Sequence, residues 1–247
     1  MKAVILAAGL GKRLRPITEN IPKAFLEINN KPLINYSLEN IELAGLKDVI
    51  IVTGFMDSYF REKLGEQFNK LSIKYVKNSE YKNTGSMFSL SKIKHIINDD
   101  IILLESDLLY EKKALSLLLN SEFKDVILIS KKSGSGDEVF ICVDKNYRIT
   151  DLGKNISKEK KKNSIGELVG ISKLSMNFQK VLYREANQDY KNNIKKLHYE
   201  ECIFETSKQG YPIYGLFDEE LIWIEIDKYD DLKKAKDYIY PKIELYK

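Results

Sequence analysis

Residues 3–8 of this chain, Ala-Val-Ile-Leu-Ala-Ala, are apolar without a break and run straight into Gly9-Leu10-Gly11-Lys12-Arg13. A short run that is apolar at every position reads as a strand covered on both faces, the kind found inside parallel sheets. Glycines at its end let backbone N–H groups approach an anion closely, and two cations in the same loop can neutralise that anion. The pattern therefore restricts the chain to an α/β architecture with a phosphate cradle at the end of a buried strand. It is neither of the two commonest cradles. Gly-x-x-x-x-Gly-Lys-Ser/Thr is absent, and Leu14 stands where a dinucleotide fingerprint has its third glycine.

The downstream pattern agrees. Pro32 to Gly45 opens with a helix-favouring proline and closes with a helix-stopping glycine, and Leu33, Ile34, Ser37, Leu38, Ile41 and Ala44 share one face. Asp48–Thr53 follows as a second buried strand, Asp57–Phe68 as a helix and Leu71–Val76 as a strand nearer an edge. A turn-rich segment, 78–85, leads into a helix from Ser86 to about Ile97. Asp100–Glu105 and Asp125–Ser130 read as further strands flanking a helix over 112–120. Alternation of this kind builds a mostly parallel, Rossmann-like sheet flanked by helices.

After Ser133-Gly134-Ser135-Gly136-Asp137 the texture changes to short runs at 138–143, 148–152 and 167–172, expected as a small antiparallel insert forming a second wall of a cleft. Helices are expected at 175–190 and 199–208, strands at 213–217 and 221–227, and a last helix at 229–239 stopped by Pro241. The expected organisation is a single domain, 1–247. Residues 1–130 form its nucleotide-binding core, 131–212 an acceptor-binding insert, and 213–247 return to the core.

Composition narrows the function classes. Forty Lys and Arg against 36 Asp and Glu give a formal charge of +4, too mild to imply a nucleic-acid partner without clustering. The one cluster, Lys158 to Lys162, reads as a solvated loop or hairpin tip, with an anion contact as the alternative. Two cysteines, Cys142 and Cys202, make no disulfide framework and suit a reducing compartment. No run approaches membrane-span length, and the amino terminus reads as a core strand, so a soluble, cytoplasmic protein is expected without membrane insertion. His198 and Cys202 lie four residues apart, but a structural zinc needs four ligands and few N or S donors remain. His198 is expected as a packed or capping residue.

Joined to Pro16-x-Thr18 and Pro22-Lys23, the glycine loop closely resembles the signature of the sugar-phosphate nucleotidyltransferases. Resemblance to that family implies a nucleoside triphosphate whose α-phosphorus is attacked in line by a phosphate oxygen of a second substrate, expelling pyrophosphate. In such a transfer the protein positions and neutralises. The nucleophile is already an anion, so no general base is required. The resemblance gives Arg13 and Lys23 the catalytic role, stabilising the transferring group. It gives Leu6, Ala7, Ala8, Gly9 and Gly11, with Asn83, Thr84, Gly85 and Ser106, to the nucleotide. Mg²⁺ is the implied cofactor. Asp107 and Asp227 are its expected ligands, because each ends an apolar strand and parallel-sheet geometry can bring both ends to one cleft.

Further segments look like one branch, the 2-aminoethylphosphonate cytidylyltransferases: residues 83–87, 103–108, 135–139, 166–171 and Trp223-Ile224-Glu225-Ile226-Asp227. The branch implies CTP and a small amine-bearing phosphonate or phosphate. An acceptor of that kind needs carboxylates for its ammonium and donors for its phosphonate. Asp137, Glu138, Glu167 and Glu200 are the candidate acids, Ser86 a candidate donor, and a simple turn end is the alternative for Asp137 and Glu138. The related phosphocholine enzymes are the runner-up, since tyrosines such as Tyr110, Tyr183 and Tyr199 could build a partial cage for a quaternary ammonium. A hexose 1-phosphate acceptor and a silent nucleotide-sensing regulator are the remaining alternatives. The sequence leaves the oligomeric state open.

Overall fold

The computed structural model describes residues 1–245, so the last two residues of the expected return, 213–247, lie outside the described residues. In chain order the strands are β1 (Lys2–Ala7), β2 (Glu27–Ile28), β3 (Lys31–Pro32), β4 (Asp48–Thr53), β5 (Gln67–Phe68), β6 (Leu71–Lys77) and β7 (Ile101–Glu105). They continue as β8 (Leu108–Tyr110), β9 (Val126–Ser130), β10 (Phe140–Val143), β11 (Ile149–Gly153), β12 (Gly166–Leu174), β13 (Tyr214–Asp218) and β14 (Trp223–Glu225).

β6, β4, β1 and β7 lie side by side and parallel, the expected centre of an α/β fold. The register places Ile5 beside Ile51 and Leu104. Because side chains alternate along a strand, Ala3, Ile5, Ala7, Ile51 and Leu104 enter one core. Val4, Leu6, Ile50, Val52 and Leu103 enter the other. Helices Leu33–Leu43, Asp57–Leu64 and Lys113–Asn120 cover the first face through Ile34, Leu38, Phe60, Ala114 and Leu118. Helices Ser86–Ser91, Met176–Lys191 and Tyr199–Lys208 cover the second through Met87, Leu90, Phe178, Leu182 and Ile203. Burial on both faces explains why these strands read as continuous apolar runs.

The antiparallel strands expected as a second layer are continuous with this sheet. β12 runs antiparallel to β7 on one side and to β9 on the other, with β10 and β11 extending beyond it and β13 parallel to β9. The run at 221–227 is not one long strand. Only Trp223–Glu225 is extended, and it pairs antiparallel with β8, a strand not expected from the sequence.

Several boundaries also shift. The helix expected over 57–68 stops at Leu64, because Gly65 takes a positive φ of 64° and the chain turns into β5. The helix from Ser86 is six residues long, and its continuation toward Ile97 is a series of turns. Lys158–Asn163 is a short exposed helix capped by the Ser157 hydroxyl rather than a loop. Pro241 does not end the last helix. A wide π turn over Ala235–Ile239 precedes it, and the chain continues helically through the proline in Tyr240–Leu245. Among the described residues no helix is long and apolar enough to cross a membrane.

Candidate active site

The carboxyl ends of β1 and β7 open onto a cleft of about 1450 Å³. The glycine loop forms its rim. Gly11 sits at φ 59°, and its carbonyl accepts the hydroxyl of the fully buried Thr18 at 2.7 Å. The Pro-x-Thr signature thus pins the loop from behind. Leu6, Ala7, Ala8, Gly9 and Gly11 all line the cleft. Arg13 follows on a 3₁₀ turn anchored by buried Leu14, and Lys23 opens a second such turn over Lys23–Phe25.

A third core holds the functional ends together. Leu14, Leu26, Ile28 and Leu33 pack with Leu109, Ile224, Ile226 and Leu232. The β8–β14 ladder sets Glu225 opposite Leu108, and the Ile226 N–H donates to the Asp107 carbonyl at 2.9 Å. This is how residues 107 and 227 meet. Asp107 does follow the end of a parallel strand as expected, whereas Asp227 arrives by the antiparallel pairing.

The charged side chains form one chain of contacts. Lys23 Nζ lies 2.5 Å from Asp107 Oδ2 and 2.5 Å from Asp227 Oδ1. Arg13 reaches Asp227 Oδ2 through Nη2 and Asp137 Oδ2 through Nη1, both at 2.7 Å. Lys154 adds a contact to Asp137 Oδ1 at 2.8 Å. Burial alone would lower the Lys23 pKa, but the charges of Asp107 and Asp227 outweigh it and hold the ammonium above its usual value. Burial likewise pushes Asp227 up, and Lys23 and Arg13 more than reverse it.

Beside this chain lies a group of acids in which, among the described residues, only Asp107 has a paired cation, Lys23. Glu105, Asp107 and Glu225 present oxygens within 4.8 Å of one another, and Glu200 adjoins Glu105. Burial, reinforced by Asp107, pushes the Glu105 carboxyl well above the usual carboxylate range. Burial and the charges of Glu105 and Asp107 push Glu225 up likewise. Asp107 Oδ1 is buried with no hydrogen-bond partner. The Tyr199 ring is buried, and its hydroxyl approaches Glu105 without reaching hydrogen-bond geometry. An all-oxygen donor set with an unpartnered buried carboxylate oxygen fits a hard cation such as Mg²⁺.

The remaining expected residues divide. Thr84, Gly85, Ser86, Ser106, Glu138 and Glu200 line the cleft, whereas Asn83 is exposed and outside its lining. The residue that orders this turn is Asn78, fully buried, which donates to the Thr84 and Ser89 hydroxyls at 3.0 Å. The N–H groups of Gly85 and Met87 are taken by the carbonyls of Lys195 and Leu197, and the Ser86 hydroxyl accepts the Tyr199 N–H at 2.9 Å. Those groups hold the 195–199 segment rather than face an open site. Asp137 is engaged by Arg13 and Lys154, and Glu167 by Ser133, so neither carboxylate stands free for an acceptor. His198 caps helix Tyr199–Lys208, its N–H donating to Glu201 Oε2 at 3.2 Å.

Glu105, Glu225 and Lys154 were missed by the sequence reading. Each glutamate precedes one of the two aspartates that hold Lys23 by two residues, so the repeated Glu-x-Asp at 105–107 and 225–227 was the available signal.

The sequence matches the family profile described as nucleotidyl transferase over residues 2–239. Among curated proteins, the choline-phosphate cytidylyltransferase of Streptococcus pneumoniae is 32% identical over 155 residues, 62% of this chain and 63% of its own length. The CMP-5'-(3-aminopropyl)phosphonate synthase of Streptomyces rubellomurinus is 30% identical over 118 residues, 48% of this chain and 19% of its own. The first three curated relatives are matched over 63%, 36% and 53% of their lengths, less than two thirds in each case. Among solved structures, the CTP:phosphocholine cytidylyltransferase from Streptococcus pneumoniae aligns over 100% of this chain and 99% of its own, with a TM-score of 0.73 at 25% identity. The inositol-1-phosphate CTP transferase from T. maritima shares the fold, with a TM-score of 0.79 at 21% identity over 98% of this chain and 96% of that one.

Proposed function

Because the chain belongs to the nucleotidyl transferase family, we propose that it transfers a cytidylyl group from CTP to 2-aminoethylphosphonate, releasing pyrophosphate. One observation carries this reading. The cleft sets the cations Arg13, Lys23 and Lys154 beside Glu200, an acid that forms no ion pair among the described residues. A substrate with a phosphonate at one end and a primary ammonium at the other matches both halves, since each N–H of the ammonium can donate to a carboxylate. Similarity to a cytidylyltransferase and to a phosphonate-activating synthase supports the choice of nucleotide and acceptor. Residues 131–212 carry the acceptor contacts, and the reaction belongs in the cytoplasm.

In this reading the Ala8–Gly11 backbone and Ser106 hold the nucleotide. A phosphonate oxygen attacks the α-phosphorus, the bond from that phosphorus to the bridging oxygen breaks, and the electron pair leaves with pyrophosphate. Arg13 and Lys23 neutralise the charge that builds on the transferring group. Asp107 and Asp227, with Glu105 and Glu225 adjoining, would hold Mg²⁺. When bound, the ion supplies charge neutralisation at the phosphates.

Phosphocholine is the second reading, favoured by Tyr81, Tyr199 and Trp223 in the cleft lining and by the streptococcal relative. Pyrophosphate release with CTP and Mg²⁺ separates the candidates. The highest kcat/KM is expected with aminoethylphosphonate, against phosphocholine, phosphoethanolamine and glucose 1-phosphate. Faster turnover of phosphocholine moves the assignment to the second reading. Tight CTP binding without pyrophosphate release on any acceptor points to a nucleotide sensor.

A further inference from the structure

Glu167 is 2% exposed, held in β12 opposite Ser130 on β9 and Phe140 on β10. Its carboxylate nevertheless governs a surface loop. The Ser133 N–H donates to Oε1 at 3.0 Å and the Ser133 hydroxyl to Oε2 at 3.2 Å. The Ser135 N–H then donates to Ser133 Oγ, and the Asp137 N–H to Ser135 Oγ, each at 3.2 Å. Gly134 and Gly136, at φ 73° and 82°, supply the left-handed steps between them. The strap ends on Asp137, which grips Arg13 Nη1 and Lys154 Nζ. An unbroken line of hydrogen bonds joins a buried carboxylate to the guanidinium on which the proposed transfer depends.

We propose that Glu167 is a positioning residue for Arg13, acting through the Ser133–Asp137 strap. The proposal rests on the reading of Arg13 as the cation that neutralises the transferring phosphoryl group. Its physical basis is the exposure of Arg13, whose side chain is 52% accessible. A long side chain at a surface loses substantial rotamer freedom when ordered and stays aimed only if partners fix it. Asp227 takes one arm of the guanidinium fork and Asp137 the other. Asp137 itself rides on a loop softened by two glycines, so its own placement needs an anchor that does not move. Glu167, locked in the sheet, is that anchor.

The test is a set of variants in the pyrophosphate-release assay, run with CTP, Mg²⁺ and the best acceptor of the panel above. Glu167→Ala is expected to lower kcat/KM for CTP about tenfold, the scale of a misplaced catalytic group. Glu167→Gln, whose amide oxygen still accepts from the Ser133 N–H, should recover activity to within about twofold. In the Asp137→Asn background, Glu167→Ala should cost nothing further, because residues acting through one link are not additive. Should Glu167→Ala fail to fold, Ser133→Ala removes both bonds of that hydroxyl, to Glu167 and from the Ser135 N–H, while keeping the Ser133 N–H on Glu167, with an expected loss of about threefold that again vanishes in Asp137→Asn. Undiminished kcat/KM in Glu167→Ala, equal losses in both backgrounds, or an Asp137→Asn variant faster than the native enzyme overturns the proposal. Arg13→Ala distinguishes the premise: full turnover there overturns the role of Arg13 itself, whatever Glu167 does.

Discussion

Lys23 occupies the point where a divalent ion and an ammonium would compete, 2.5 Å from carboxylate oxygens of both Asp107 and Asp227. In the proposed transfer, removing it deletes a positive charge needed most at the transition state. Lys23→Ala should lower kcat by about 10²–10³-fold, measured by pyrophosphate release. The Asp107 oxygen left buried without a partner makes a second, separable prediction. Mg²⁺ should raise the melting temperature of the native protein by several degrees through preferential binding to the folded state, and Asp107→Asn should abolish that rise in a thermal-shift assay. That Arg13, Lys23, Asp107 and Asp227 share one cleft was legible in the sequence because each sits beside a local landmark, a glycine loop or the end of an apolar run. Glu105 and Glu225 were passed over because adjacency in an alternating strand is visible but its consequence, two acids on one face meeting two others, depends on the pairing of β8 with β14. That Asn78 rather than Asn83 is the buried one is not legible, because a turn-rich stretch does not say which of its asparagines points inward.

At the scale of elements, the strands of the centre were the easiest to read, since burial on both faces leaves an apolar run with no ambiguity of period. Short pieces were not. β8 is three residues long and carries no signal apart from its partner, and helix Ser86–Ser91 is defined as much by what docks on it as by its own sequence. Gly85 shows the dependence. A Cβ there would lie 2.1 Å from the Leu197 carbonyl oxygen, a backbone atom that cannot swing aside, and the Gly85 and Met87 N–H groups are the hydrogen-bond tethers of the same segment. Gly85→Ala should therefore destabilise the protein by about 2 kcal/mol or more, read from urea unfolding. It should also open the 195–198 segment to proteolysis ahead of the rest of the chain.

Across the whole molecule, buried acids tie stability to pH. Burial pushes the Glu167 carboxyl up to about 7, the Ser133 contacts pull it back, nearby Glu138 adds to the rise and Lys234 opposes it. The folded chain thus keeps a proton that the unfolded chain has already released. That contribution is complete below the unfolded value of 4.5 and is lost as pH rises through about 7. The melting temperature of the native protein should fall between about pH 5 and pH 8, and Glu167→Gln should flatten this slope. The fold class was legible at this scale because alternation alone dictates it. That the antiparallel strands would join the central sheet through β12 was not, since strand runs do not announce their neighbours. The β8–β14 ladder has a temporal meaning as well. During synthesis, the first 218 residues include every strand of the ten-stranded sheet, yet they contain only half of the carboxylate pair that clasps Lys23. The chain emerging from a ribosome delivers all of that sheet before residues 223–227 can fold back across more than a hundred residues onto β8, so a product ending before residue 223 lacks the Asp227 contacts to Lys23 and Arg13.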